Sequence, residues 1–279
     1  MGMTKLIAFD LDNTLLNTKK EVTPRTLRVL AQAAALGIEI VPVTGRVWAS
    51  VPEAVKSMDF VRYAVTLNGA EIYDVKNMKV LHEALMPVEL GITLCRVIDG
   101  LGAVYDCIAG GRRYMRRECY DRIESISDGE WQTNIIRGSS IPVDDVKAQI
   151  AGTRGIQKMQ IYTRDHELRA KLLEALPVVF PQALFTSSVP NNIEINALEA
   201  NKGDGLKFIA EYLGLPMTAT MAFGDGLNDT AMIRSAGIGV AMGNACKEVL
   251  EAADHVTDDC DHDGVAEGII TFCRGIDDA

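Results

Sequence analysis

No apolar run in this chain approaches the roughly 20 residues that a membrane-spanning helix needs; Ala31 to Leu36, already interrupted by Gln32, is typical of the longest. Positive charge is scarce too. Lys and Arg number 28 against 38 Asp and Glu, a net charge of −10. Sequence-independent nucleic-acid binding needs a positive surface, so neither nucleic acid nor membrane is an expected partner. None of the six cysteines (Cys95, Cys107, Cys119, Cys246, Cys260, Cys273) forms a C-x-x-C pair. A chain of this length does not need disulfide staples, so reduced thiols in a cytoplasmic protein are expected, without a zinc site. No basic segment leads into an apolar stretch at the N-terminus, and no secretory leader is expected. There is no G-x-x-x-x-G-K-[ST] phosphate loop. The glycines of Gly237 to Gly243 have the wrong spacing for a dinucleotide fingerprint. A Ca²⁺ loop starting at Asp10 fails because Leu15 stands where glycine is required.

What is present is a chain of 279 residues, 48% hydrophobic, enough for one large or two modest domains. Short apolar runs alternate with helical spacing. Lys5 to Phe9, Ile38 to Val43 and Tyr63 to Leu67 read as strands. Thr23 to Leu36 and Ser50 to Met58 read as helices, with Thr23 as N-cap and Pro24 in the first turn. Strands buried on both faces are continuous apolar runs, so this is the pattern of a parallel α/β sheet. It returns near the C-terminus: helix Lys202 to Leu213, strand Ala219 to Phe223, helix Asp229 to Ser235, strand Gly237 to Met242, helix Lys247 to Ala253 and strand His255 to Thr257. The middle differs. Ala103 to Ala109 and Arg112 to Arg117 flank Gly110-Gly111 as a hairpin, and Lys158 to Tyr162 and Asp165 to Leu176 read as strand and helix. The organisation expected is an α/β core of residues 1–85 and 191–279, with an α+β insertion of residues 86–190.

Several core strands end in residues that carry chemistry: Asp10 and Asp12, Thr44, and Asp225. Ligands of open parallel sheets bind outside the carboxyl ends of strands, so these residues are expected to converge. Asp10 and Asp225 can hold a hard divalent cation such as Mg²⁺. A metal offsets the repulsion between an attacking carboxylate and an anionic phosphorus, and aspartate is a known nucleophile of that kind. Asp12 is placed to handle the leaving-group proton. Thr44, Gly45 and Lys202 can supply donors to a phosphoryl group.

The segments Asp10 to Leu16 (D-L-D-N-T-L-L), Val41 to Arg46 (V-P-V-T-G-R), Asn201 to Gly203 (N-K-G) and Gly224 to Asp229 (G-D-G-L-N-D) occur in order. They resemble the four motifs of the haloacid dehalogenase superfamily phosphatases. Asn68 to Ala70, Ile193 to Ile195, Val240 to Ala245 and Asp263 to Ala266 further resemble its Cof-type branch. The resemblance implies a Rossmann-like core with an inserted cap and a Mg²⁺-dependent phosphatase. Asp10 is then the nucleophile and Asp12 the general acid/base. Mg²⁺ is implied on Asp10, the Asp12 backbone carbonyl and Asp225, supported by Asp229. Leu11, Thr44, Gly45, Lys202 and Asn228 are implied at the phosphate. Asn13 stands where the family has glycine, and Asn tolerates a left-handed backbone.

The expected substrate is a small phosphate monoester, such as a sugar phosphate or a phosphorylated cofactor or nucleotide. A phosphotransferase or mutase, or a non-catalytic phosphometabolite-binding protein, are the alternatives. Arg46 and Asn192 are candidate specificity residues. So are Arg113 and Arg117, which strand alternation puts on one side of the hairpin, where they could hold a second anionic group. A monomer or a small homo-oligomer is expected.

Overall fold

The computed structural model describes residues 3–127 and 129–278. The chain divides into two compact units, residues 1–82 with 201–279 and residues 83–200. In chain order the first unit begins with β1 (Leu6–Phe9), α1 (Pro24–Ala35), β2 (Glu39–Pro42), α2 (Glu53–Lys56), β3 (Tyr63–Thr66), β4 (Glu71–Asp74) and β5 (Lys79–Glu83). The second unit comprises α3 (Val88–Gly100), β6 (Val104–Ala109), β7 (Arg112–Arg116), α4 (Arg117–Ile126), α5 (Glu130–Ser139), β8 (Ser140–Val143), α6 (Val146–Ile150), β9 (Ile156–Tyr162), α7 (His166–Val179), β10 (Ala183–Thr186) and β11 (Asn192–Ala197). The first unit resumes with α8 (Lys202–Tyr212), β12 (Thr220–Gly224), α9 (Thr230–Ser235), β13 (Ile238–Ala241), α10 (Lys247–Ala252), β14 (His255–Val256) and α11 (Gly264–Phe272).

The first unit is built on a parallel sheet in the order β14-β13-β12-β1-β2. The expected α/β core with a parallel sheet is therefore found. Side chains alternate across it. Ile7, Phe9, Ile40, Met221 and Phe223 pack on one face with Val29 and Leu30 of α1 and Val265 and Ile269 of α11. Leu6, Ala8, Val41 and Ala222 pack on the other with Leu206 and Ile209 of α8 and Met232 and Ile233 of α9. Burial on both faces is why these strands read as unbroken apolar runs. Thr23 caps α1, its side chain accepting from the Thr26 amide, with Pro24 at the first helical position. Beyond β2, Val43 bridges Val65 of β3, and β3-β4-β5 form a separate three-stranded sheet.

The strand order fixes the site. From β1 the chain passes to β2 on one side, while β12 lies on the other. The order reverses between β1 and β12, and it is outside the carboxyl ends at such a switch point that open α/β sheets bind ligands.

The second unit is a six-stranded sheet, β10-β11-β9-β6-β7-β8, antiparallel except for the β7–β8 pair. Its hairpin turns at Gly110-Gly111, as the sequence suggests. Two expectations change here. The unit runs to Ala200, not to residue 190, because Asn192–Ala197 pairs with β9 and β10 in its sheet. Arg117 does not continue the strand with Arg113, because it opens α4, so alternation does not put the two arginines on one side.

Candidate active site

Asp10 follows β1 directly, and its amide donates to the Phe223 carbonyl of β12 at 3.0 Å. That bond sets it beside Asp225, which follows β12. Lys202, the first residue of α8, is fully buried. Its Nζ donates to Oδ1 of Asp10 at 2.5 Å and to Oδ1 of Asp229 at 2.6 Å. The second Asp229 oxygen accepts from the amides of Asp225 and Gly226, at 3.0 and 2.9 Å. Asp229 thus spends both oxygens on holding the loop and the lysine. A β-carbon on Gly224 would stand 2.5 Å from that of Asp229, so only glycine lets this aspartate come so close. Thr14 donates its hydroxyl to Oδ1 of Asp225 at 2.8 Å.

Asp12 lies on the same loop, at the rim. Arg46 holds it as a two-pronged fork, Nε to Oδ2 at 2.8 Å and Nη2 to Oδ1 at 2.7 Å. Lys20 adds a contact of 3.2 Å to Oδ1. Asn13, between them, has φ 61°, the left-handed conformation that asparagine tolerates in glycine's place.

Thr44 ends β2. Its carbonyl accepts from the Asn68 amide at 3.0 Å, and its hydroxyl from the Arg46 amide at 3.2 Å. Gly45 lies between them. The turn Leu67-Asn68-Gly69 has three successive positive φ values, 52°, 62° and 108°. For a leucine this is a strained state, costing on the order of 1–3 kcal/mol. Leu67 is held in it by the hydrogen bond its amide donates to the Arg46 carbonyl, 3.0 Å, and by complete burial. The turn brings Oδ1 of Asn68 to Nδ2 of Asn228, 3.1 Å away. Leu11 buries its side chain completely, so its backbone is what it can offer to this site.

The electrostatics follow from crowding. Burial raises Asp10 first; Lys202 opposes this, while Asp229 and Asp12 add to it, and the carboxyl is pushed up to about 7. Burial, then the charges of Asp10 and Asp229, raise Asp225 to about 8, against Thr14 and Lys202. Burial opposes the charge on Lys202, yet Asp10 and Asp229 hold it above the ordinary lysine range. Asp12 differs: burial pushes it up, but the hydrogen bonds and charge of Arg46, with Lys20, bring it below the usual carboxylate range.

Among the described residues, Asp10, Asp225 and Asp229 bring carboxylate oxygens within 4.8 Å of one another. The buried lysine leaves that cluster with excess negative charge. Hard oxygen donors and uncompensated charge are what a small divalent cation requires, so the residues fit one. With Asp229 committed to Lys202 and two amides, Asp10 and Asp225 are the side chains best placed to bind it.

The site thus brings together Asp10, Asp12, Thr44, Gly45, Arg46, Lys202, Asp225, Asn228 and Asp229. Thr14 and Asn68 fall in segments that carry the motif resemblance and Lys20 does not, but the sequence alone assigns none of the three a supporting role. A polar residue before a glycine, directly after a buried strand, was the available signal for Asn68. The remaining candidates lie in the second unit. Arg113 is buried and donates to Asp106 at 2.8 Å and to the Tyr162 hydroxyl at 3.3 Å. Arg117 is exposed, 3.4 Å from Asp144. Asn192 caps the 187–192 turn, its Oδ1 accepting from the amides of Ser188 and Val189 at 3.2 and 3.3 Å.

The first unit is thus an α/β fold that gathers aspartates and a buried lysine at the switch point of a parallel sheet. The family model of the haloacid dehalogenase-like hydrolases matches residues 7–269, and the chain belongs to that family. It is 33% identical to the 5-amino-6-(5-phospho-D-ribitylamino)uracil phosphatase YcsE of Bacillus subtilis, covering 95% of this chain and 94% of that one. It is 30% identical to the phosphatase YwpJ of the same organism, over 94% of this chain and 97% of the relative. A solved haloacid dehalogenase-like hydrolase from B. subtilis superposes with a TM-score of 0.80 at 28% identity, covering 96% of this chain and 99% of the other. The chain is a phosphatase, as the motif resemblance implies. No helix among the described residues is long and apolar enough to cross a membrane.

Proposed function

We propose that this phosphatase hydrolyses a small phosphate monoester through an aspartyl-phosphate on Asp10, with Mg²⁺ as its metal. The observation that carries the reading is the shared contact of Lys202 with Asp10 and Asp229, 2.5 and 2.6 Å, beside Asp225. This contact supports the reading, because the proposed nucleophile Asp10, the proposed metal ligand Asp225 and the proposed phosphate-directed Lys202 lie together. Bound Mg²⁺ would sit on Asp10 and Asp225 and supply charge stabilisation to the phosphoryl oxygens. The monoester class is supported by the relative YcsE, whose named substrate is a phosphorylated ribitylaminouracil.

The chain's own residues divide the work in two steps. An Asp10 oxygen attacks phosphorus as the bond to the leaving oxygen breaks, and that oxygen takes a proton from Asp12, which has to take up that proton beforehand against the pull of Arg46 and Lys20. Water then attacks phosphorus, releasing the Asp10 carboxylate, while Asp12 takes the water proton. Lys202, the Thr44 hydroxyl and Asn228 donate to the phosphoryl oxygens, where one preorganised donor lowers the barrier by about 2.7–4 kcal/mol. The six cysteines are free, which supports a reducing, cytoplasmic setting.

The test is phosphate release from a panel of phosphorylated metabolites with Mg²⁺, alongside Asp10→Asn. One substrate far ahead of the others, lost in the variant, supports a dedicated monoester phosphatase. Release that survives the substitution contradicts the role of Asp10. A phosphoenzyme that forms but persists in water favours group transfer to a second hydroxyl instead.

A further inference from the structure

Asp12 is the residue on which both proton transfers of the proposed mechanism rest; its backbone bridges to Leu16 and Lys20 lies 3.2 Å from its carboxylate. It sits on a loop, and its side chain remains about a quarter exposed, at 23%. Arg46 holds both carboxylate oxygens of Asp12. Two of its nitrogens grip the two Asp12 oxygens at 2.7 and 2.8 Å, and the third, Nη1, donates to the Ser50 carbonyl at 2.9 Å. The guanidinium plane is therefore fixed at three points. The backbone of Arg46 is fixed as well: its amide donates to the Thr44 hydroxyl, and its carbonyl accepts from the strained Leu67. A residue tied to the Thr44 loop, the 67–69 turn and the 48–50 helix transmits the position of all three to Asp12. Both prongs of the fork are spent on the carboxylate, which leaves little for a phosphate.

From this arrangement we infer that Arg46 is a positioning residue for Asp12, and not a phosphate-binding or specificity residue. The inference rests on the phosphatase reading above. The fork also favours the ionised form of Asp12, so what Arg46 contributes to the donation is position, set against a cost in protonation. Arg46 matters where the leaving oxygen needs a well-placed proton and matters little where it does not. An alkyl phosphate has a strongly basic leaving group and requires general-acid help. A nitrophenyl phosphate has a weakly basic one and departs without it. A phosphate-binding arginine has no such preference, since both esters present the same phosphoryl group.

The experiment compares kcat/KM for an alkyl phosphate and for nitrophenyl phosphate, with Mg²⁺. It uses the wild type, Arg46→Ala, Asp12→Ala and the double variant, with circular dichroism checking the fold of each. Because kcat/KM reports the steps up to leaving-group departure, it isolates the donation. Arg46→Ala is expected to lose about 100-fold on the alkyl ester, within the range of general-acid contributions, and under about 10-fold on the nitrophenyl ester. In the Asp12→Ala background, removing Arg46 is expected to cost nothing further on the alkyl ester, because coupled residues are non-additive. Arg46→Lys, which keeps the charge but not the fork, is expected to fall between the two and serves if the alanine variant does not fold. Equal losses on both esters, additive in the double variant, overturn the inference and leave the phosphatase reading standing. A wild type that releases phosphate from neither these esters nor the metabolite panel removes both.

Discussion

The ammonium of Lys202 meets the Asp10 carboxylate at 2.5 Å across 192 positions of sequence. One contact thus ties the two sequence segments of the first unit together and neutralises part of a crowded carboxylate cluster. Because Lys202 is fully buried and also serves Asp229, it is both a structural keystone and a candidate phosphate ligand. Replacing it by Met leaves buried carboxylates without their cation, which typically destabilises by about 3–5 kcal/mol. Denaturant unfolding is expected to show a loss of that order, together with lost turnover; unchanged stability contradicts the keystone role.

Asp10→Asn keeps the shape of the side chain and removes the nucleophile. Turnover is expected to fall by about 10⁴-fold or more. The fold is expected to survive, since one negative charge leaves a repulsive cluster. Phosphate release and circular dichroism on the same preparation check both statements.

In metal-free protein Asp10 stands at about 7 and Asp225 at about 8. Unfolded aspartates ionise near about 3.9. Between those values the folded chain holds more protons than the unfolded one. The contribution of these groups to stability is present below about pH 4 and is lost as pH rises towards 7 and 8. Unfolding in chelator is expected to show a steeper decline over that window for wild type than for Asp10→Asn. Saturating Mg²⁺ is expected to stabilise more at pH 8 than at pH 5, because metal and proton compete for the same oxygens. Equal Mg²⁺ stabilisation at both pH values contradicts the placement of the metal.

Thr14 holds the Asp225 carboxylate through one hydroxyl at 2.8 Å. Substitution by Val preserves the shape and removes that bond. Partners of this kind typically change metal affinity by about 10- to 100-fold. Titration of activity with Mg²⁺ is expected to show half-activation at about tenfold higher concentration, with maximal rate less affected.

Gly69 has φ 108°, and a β-carbon there would lie 2.5 Å from the Asn201 carbonyl oxygen. Gly69→Ala is expected to displace the N-terminus of α8, and Lys202 with it. A cost of about 1–3 kcal/mol is the usual range for forced overpacking. A variant with wild-type melting temperature and activity contradicts this coupling.

Much of the first unit is legible in the sequence, for a definite reason. Strands such as Leu6–Phe9 and Thr220–Gly224 are buried on both faces, so their apolar runs are unbroken and their ends are marked by Asp10 and Asp225. The second unit is harder to read. Its strands carry buried charges, including Lys158 paired with Glu194 at 2.7 Å and Arg113 with Asp106. Such residues look like exposed positions until the partner strand is known. Elements as short as Val146–Ile150 have too few residues to show a period. Within the site, Asp10, Lys202 and Asp225 follow from strand and helix ends. The Arg46 to Asp12 fork does not, because its partners are 34 positions apart on two loops. Nor does the start of α4 at Arg117, where a helix begins without any side-chain cap.

The central claim is that Asp10 itself carries the phosphoryl group. Borohydride reduces an acyl phosphate to an alcohol and leaves a free carboxylate alone. The enzyme is to be mixed with its best substrate and Mg²⁺, quenched during turnover, reduced, and mapped by peptide mass spectrometry. Homoserine at position 10, dependent on both substrate and Mg²⁺, is the expected result. Unmodified Asp10 under conditions of steady turnover, or reduction at another residue, contradicts the account.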